Sequence, residues 1–114
     1  MVKSRKYIPH PGDFVYLSFD SLAGHEQRGR RPAFVISKYL FNKVTGFAIV
    51  CPVTNTFRNI PFHIKLPDSS RLTGVTMVDQ VKSVDYRARK ITFIEKAELS
   101  FLDEVLSVLE PCIY

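Results

Sequence analysis

Glu26, His25 and the arginines Arg28, Arg30 and Arg31 are crowded into one polar segment, Gly24-His25-Glu26-Gln27-Arg28-Gly29-Arg30-Arg31. That segment runs straight into the apolar stretch Pro32-Ala33-Phe34-Val35-Ile36-Ser37. A carboxylate, an imidazole and guanidinium groups thus stand at the rim of a strand, whose rigidity limits the freedom of side chains that would otherwise stay solvated. Metal-free cleavage of RNA uses the substrate's own 2′-hydroxyl as nucleophile. It needs a base near that hydroxyl, an acid near the leaving 5′-oxygen and positive charge on the phosphoryl oxygens. Glu26 or His25 has the chemistry of the base, Arg31 that of the cation, and Thr54 offers a hydroxyl at the end of a buried strand. Residue types alone leave a second reading open, in which Glu26 pairs with a neighbouring arginine, the arginines are solvated and Thr54 begins a turn.

Other chemistries find less support. His10, His25 and His63 show no H-x-x-x-H spacing and the chain has no Cys-x-x-Cys, so no metal site and no cofactor are expected. A phosphate-cradling glycine loop and a G-x-S-x-G turn are both lacking. Cys51 sits in an apolar run and Cys112 near the end, a pattern for one buried small hydrophobe and one exposed thiol.

The elements that must position these residues are short. At 114 residues and 46% hydrophobic, residues 1–114 are expected to form a single domain. Phe14–Phe19 reads as a strand, Ser18–Arg31 as a long loop, and Pro32–Ser37 as the second strand. Lys38–Gly46 suits a helical turn or loop, and Phe47–Val53 is a continuous apolar run fit for a strand buried on both faces. Phe62-His63-Ile64-Lys65-Leu66 alternates, which predicts Phe62, Ile64 and Leu66 inward with His63 and Lys65 in water. Gly74–Val78, Val81–Val84 and Lys90–Ile94 add three strands, so the expectation is a mainly β, small barrel. Leu102, Val105, Leu106 and Leu109 then recur with helical spacing, predicting one amphipathic helix stopped by Pro111. Charge is divided along the chain: residues 1–94 hold 15 Lys/Arg and 6 Asp/Glu, whereas residues 95–114 hold 1 and 5. A basic body favours a polyanionic partner. With no apolar run of membrane-spanning length and no signal-like h-region, a cytoplasmic protein without membrane contact is expected.

Several blocks, taken together, resemble the MazF/PemK (Kid) toxin endoribonucleases of bacterial type II toxin–antitoxin systems. They are Pro11-Gly12-Asp13-Phe14-Val15, Glu26-Gln27-Arg28-Gly29-Arg30-Arg31-Pro32-Ala33, Cys51-Pro52-Val53-Thr54, Ile60-Pro61-Phe62 and Asp79-Gln80-Val81-Lys82-Ser83. They occur in the family's order and at similar spacing, and the final helix falls where the family's last helix falls. The resemblance implies an SH3-like (CcdB/PemK-type) barrel of about seven short strands with a C-terminal helix. It also implies a homodimer, and sequence-specific, metal-independent and ribosome-independent cleavage of single-stranded RNA, as in mRNA, to 2′,3′-cyclic phosphate and 5′-hydroxyl ends. Carried over by position, the catalytic residues are Arg31, Thr54 and Glu26. His25, Gln27, Arg28, Arg30, Arg58, Phe62, Asp79, Gln80 and Lys82 form the implied RNA-binding set. Because a guanidinium does not readily deprotonate, Arg31 is best cast as a stabiliser of transition-state charge.

Met77 stands where the PemK/Kid branch carries an arginine, so the chain is more similar to the MazF branch. Ser21 and His25 also depart from the pattern, within the loop that should select sequence. A cognate antitoxin with an acidic segment is the implied protein partner, competing with RNA for the basic surface. Two rival readings are a CcdB-like gyrase poison without nuclease activity and a non-catalytic RNA-binding barrel. Against the first, that family works through an apolar tip containing tryptophan, and this chain has none.

Overall fold

The computed structural model describes residues 6–19, 29–56 and 59–114. Seven antiparallel strands alternate with short connections: β1 Asp13–Ser18, β2 Arg30–Val35, β3 Phe47–Thr54, β4 His63–Lys65, β5 Val75–Met77, β6 Lys82–Asp85 and β7 Thr92–Lys96. Helix α1 spans Tyr39–Thr45, a single 3₁₀ turn covers Val78–Gln80, and helix α2 spans Leu99–Ile113. Strand pairing follows the path β4-β5-β3-β2-β1-β7, with β6 also on β3, and no recorded pairing joins the two ends among the described residues.

The long apolar runs are buried on both faces, as continuous hydrophobic strands must be. One face gathers Phe14, Phe34, Cys51, Val53 and Ile64 under Phe101, Val105 and Leu109 of α2. The other gathers Val15, Leu17, Ala33, Val35, Ala48 and Val50 with Val84 and Tyr86. Between α1 and the sheet lies a buried polar knot: Asn42 Nδ2 donates to Pro9 O at 2.8 Å, Tyr86 Oη donates to Asn42 O at 2.7 Å, and Ser37 Oγ accepts from Ile49 N at 2.8 Å. Asn42 is completely buried, so this helix is pinned by satisfied polar groups rather than by an apolar stripe.

Three expectations change. β2 starts at Arg30, not Pro32, because pairing of Ser18 with Arg30 and of Leu17 with Arg31 draws both arginines out of the loop and into the sheet. Within Phe62–Leu66, Ile64 and Leu66 are buried and Lys65 is exposed as expected, but Phe62 is 40% exposed while the His63 side chain is only 5% exposed. β4 begins at His63, leaving Phe62 outside the ladder, and the face that carries His63 is covered by the 3₁₀ turn rather than by water. Finally, α2 continues through Pro111 to Ile113. Proline fixes φ near a helical value and gives up only its own N–H. Beyond it Tyr114 N still donates to Glu110 O at 3.0 Å.

Candidate active site

β3 is the spine of the site. Its segment Phe47–Val50 pairs with β6, and its end, Val53–Thr54, pairs with β5. Val50 pairs with Lys82 of β6 and with Val35 of β2, so β2 occupies one edge and β5 and β6 share the other. The β5 and β6 registers on that edge differ by three residues, the length of the turn Val78–Gln80. The excursion lifts Asp79 and Gln80 out of the ladder beside the end of β3, and both are exposed.

On the opposite edge of β3, Ala33 pairs with Pro52. Carried two residues further, that register sets Arg31 opposite Thr54. Side-chain alternation then puts Arg31, Thr54, Met77 and His63 on one face of the sheet, the face opposite α2. Arg31 is exposed there and Thr54 half-buried. A cavity of about 230 Å³ opens at this place, lined by Thr54, Thr56, His63, Met77 and Gln80.

Two close backbone approaches fix the end of β3. Gly74 has φ +115°, and a Cβ there would lie 2.2 Å from the Thr54 carbonyl oxygen. Only glycine permits both the dihedral and the contact. Thr73 Oγ1 donates to Asn55 Oδ1 at 2.8 Å, and Thr56 N donates to Thr54 Oγ1 at 3.2 Å. The Thr54 hydroxyl oxygen is thus oriented by an accepted hydrogen bond, and its own proton has no acceptor among the described residues.

Arg30 and Arg31 have separate surroundings. Arg30 points to the α2 side of β2, where its guanidinium donates to Ser18 Oγ at 3.3 Å, Lys90 O at 2.9 Å and Thr92 Oγ1 at 2.9 Å. Lys82 is exposed on β6 with its ammonium 5.2 Å from the centre of the Phe19 ring, a cation–π distance. Phe62 is exposed ahead of β4. Glu26, His25, Gln27, Arg28 and Arg58 lie outside the described residues. The site therefore brings together Thr54, Gln80 and, by register, Arg31, with Asp79 on the adjoining turn.

Sequence reasoning did not place His63, Thr56 or Met77 here. His63 Nε2 stands 3.1 Å from Asp79 Oδ1. The pairing of His63 with Met77 in the β4–β5 ladder is the structural reason they meet, and strand alternation within β4 alone could not reveal it. Cys51 is on the other face, and its thiol is pushed up to about 12, by burial first and then by the negative charge of Asp79. It is a protonated core residue at neutral pH and no nucleophile.

Residues 10–113 match the sequence profile of a family described as PemK-like, MazF-like toxins of type II toxin–antitoxin systems. The chain is 36% identical over 107 residues to the endoribonuclease toxin MazF of Escherichia coli K12, a similarity covering 91% of this chain and 96% of that one. A crystal structure of MazF from Deinococcus radiodurans superposes with a TM-score of 0.85 at 39% identity, covering 95% of this chain and 98% of the other. A MazE–MazF crystal structure from the same organism gives a TM-score of 0.84 at 34% identity, covering 95% and 97%.

Proposed function

The chain belongs to the PemK-like, MazF-like toxins of type II toxin–antitoxin systems and is an endoribonuclease; from that premise we propose how it cuts, what it cuts and what restrains it. It cleaves single-stranded RNA at a short sequence in the cytoplasm, mRNA included, with no metal ion and no ribosome. The substrate's 2′-oxygen attacks the adjacent phosphorus as Glu26 takes its proton. The phosphorus–5′-oxygen bond breaks, the leaving oxygen takes up a proton from solvent, to which Glu26 returns the one it took, and the products are a 2′,3′-cyclic phosphate and a 5′-hydroxyl. Arg31 neutralises the charge that builds on the phosphoryl oxygens, and Thr54 donates its hydroxyl proton to one of them.

The observation that supports this reading is the β2–β3 register, which, continued two residues past its last pair, Ala33 with Pro52, brings Arg31 towards Thr54, a residue that lines the cavity. A cation and a hydroxyl fixed on neighbouring strand ends need no reorganisation when the charge develops. The gyrase-poison and non-catalytic alternatives lose their place, since the similar proteins are endoribonucleases.

The protein binds a cognate antitoxin, a reading supported by its similarity to the MazE–MazF crystal structures from Deinococcus radiodurans. An acidic antitoxin segment would occupy the basic surface that otherwise receives RNA, making inhibition competitive. Homodimer formation is supported by apolar side chains left in water on α1, Leu40 at 68% and Val44 at 75% exposure. The test is incubation with a long RNA in EDTA, followed by mapping of the ends. The expected products carry 5′-hydroxyls, and Arg31→Ala keeps its fold while losing about a hundredfold or more in rate. Full activity of that variant overturns the mechanism.

A further inference from the structure

His63 has no part in the chemistry just described, yet it forms a wall of the same cavity with its side chain only 5% exposed. Its Nε2 lies 3.1 Å from Asp79 Oδ1, and its Nδ1 is buried with no hydrogen-bond partner among the described residues. These two facts choose the tautomer. A carboxylate oxygen accepts, so the proton belongs on Nε2. Moving it to Nδ1 would set a bare nitrogen against the carboxylate and leave a buried donor unanswered.

The ring is held from behind. His63 pairs with Met77 across β4 and β5, and its backbone N–H donates to Ile60 O at 3.0 Å. Asp79, two residues beyond Met77, is on a three-residue turn and its side chain is 39% exposed. A short exposed turn does not by itself fix a carboxylate; a buried imidazole N–H does. One oxygen is thereby turned to His63, and the exposed carboxylate stands on the same turn as Gln80, which lines the cavity with His63 and Thr54. A carboxylate repels phosphate, so what it accepts from RNA is a base N–H, whose donors are read by acidic side chains.

We propose that His63 is a positioning residue that fixes Asp79 as the acceptor for a nucleobase N–H donor seated in this cavity, next to the phosphate held by Arg31 and Thr54. The inference rests on the endoribonuclease reading of the same site. Its test uses a short RNA spanning a mapped cleavage site and four variants of the full chain: His63→Leu, His63→Gln, Asp79→Asn and the double variant His63→Leu with Asp79→Asn. Loss of one charge-assisted hydrogen bond predicts that His63→Leu lowers kcat/KM by about tenfold to a hundredfold, expressed in KM. His63→Gln, whose amide N–H reaches the carboxylate, recovers most of the loss, and the double variant is no worse than Asp79→Asn alone.

Parental kcat/KM in His63→Leu, losses that multiply in the double variant, or a glutamine no better than leucine would each overturn the proposal. Ring ¹⁵N shifts give a second readout that needs neither cleavage nor a folded leucine variant. They are expected to report the Nε2–H tautomer in the parent, and an Nδ1–H tautomer in the parent overturns the proposal. A parent that cuts no RNA but shows the Nε2–H form would refute the nuclease reading while leaving the pair intact.

Discussion

Arg30 and Arg31 are adjacent in sequence and divided in surroundings by the strand that carries them. Alternation along β2 sends Arg30 to a cage of protein acceptors that ties β2 to the β6–β7 connection. It leaves Arg31 exposed on the face shared with Thr54. Cys51 and Tyr7 show the same dependence on place. Burial and the charge of Asp79 push the Cys51 thiol up to about 12, and burial with Asp13 pushes the Tyr7 phenol up as well. For both groups the unfolded chain loses its proton first, so native stability is fully present below the unfolded pKa and drains away above it. Urea midpoints are therefore expected to hold steady up to about pH 9, the ordinary thiol value, and to fall as pH rises from 9 towards 12. Cys51→Ala should flatten the first part of that fall. An unchanged slope in the variant would show that Cys51 does not contribute to it.

At the scale of elements, the site depends on how the end of β3 meets β5. Gly74 lets the chain entering β5 pass against the Thr54 carbonyl, and any side chain there collides with backbone in a left-handed conformation. Gly74→Ala is expected to cost about 1–3 kcal/mol of stability and to lower cleavage further by displacing Thr54. Denaturation midpoints and cleavage by the folded fraction measure the two effects. A variant as stable and active as the parent would mean that the close approach is not needed. Much of this layer was legible beforehand. Uninterrupted apolar runs marked β1, β2 and β3, and the switch to helical spacing at Leu102, Val105 and Leu109 marked α2. What stayed hidden depends on register between strands distant in sequence. The three-residue offset that lifts Asp79, and the pairing that carries His63 under it, leave no local pattern. The Phe62–Leu66 alternation placed Ile64, Lys65 and Leu66 correctly and failed at Phe62 and His63, because the 3₁₀ turn that meets His63 comes from a segment distant in sequence. The resemblance, by contrast, named Arg31, Thr54 and Asp79 as candidates, since their blocks keep a recognisable order.

At the scale of the whole molecule, a basic body, an acidic final segment and a rigid antiparallel sheet make one object suited to RNA. On the proposed reading, field focusing would bring the polyanion to the basic surface, and an acidic antitoxin segment would compete through the same charge. On the proposed mechanism the protein need only place a cation and a hydroxyl on two strand ends and a carboxylate base, because the nucleophile comes with the substrate. That requirement is open to direct test. A short RNA spanning a mapped site is compared in EDTA with the same strand carrying one 2′-deoxyribose immediately 5′ of the scissile phosphate. The account predicts 2′,3′-cyclic phosphate and 5′-hydroxyl ends from the first and no cleavage of the second. Cleavage of the deoxy-substituted strand at that phosphate, or 5′-phosphate ends from the all-ribose strand, would contradict it.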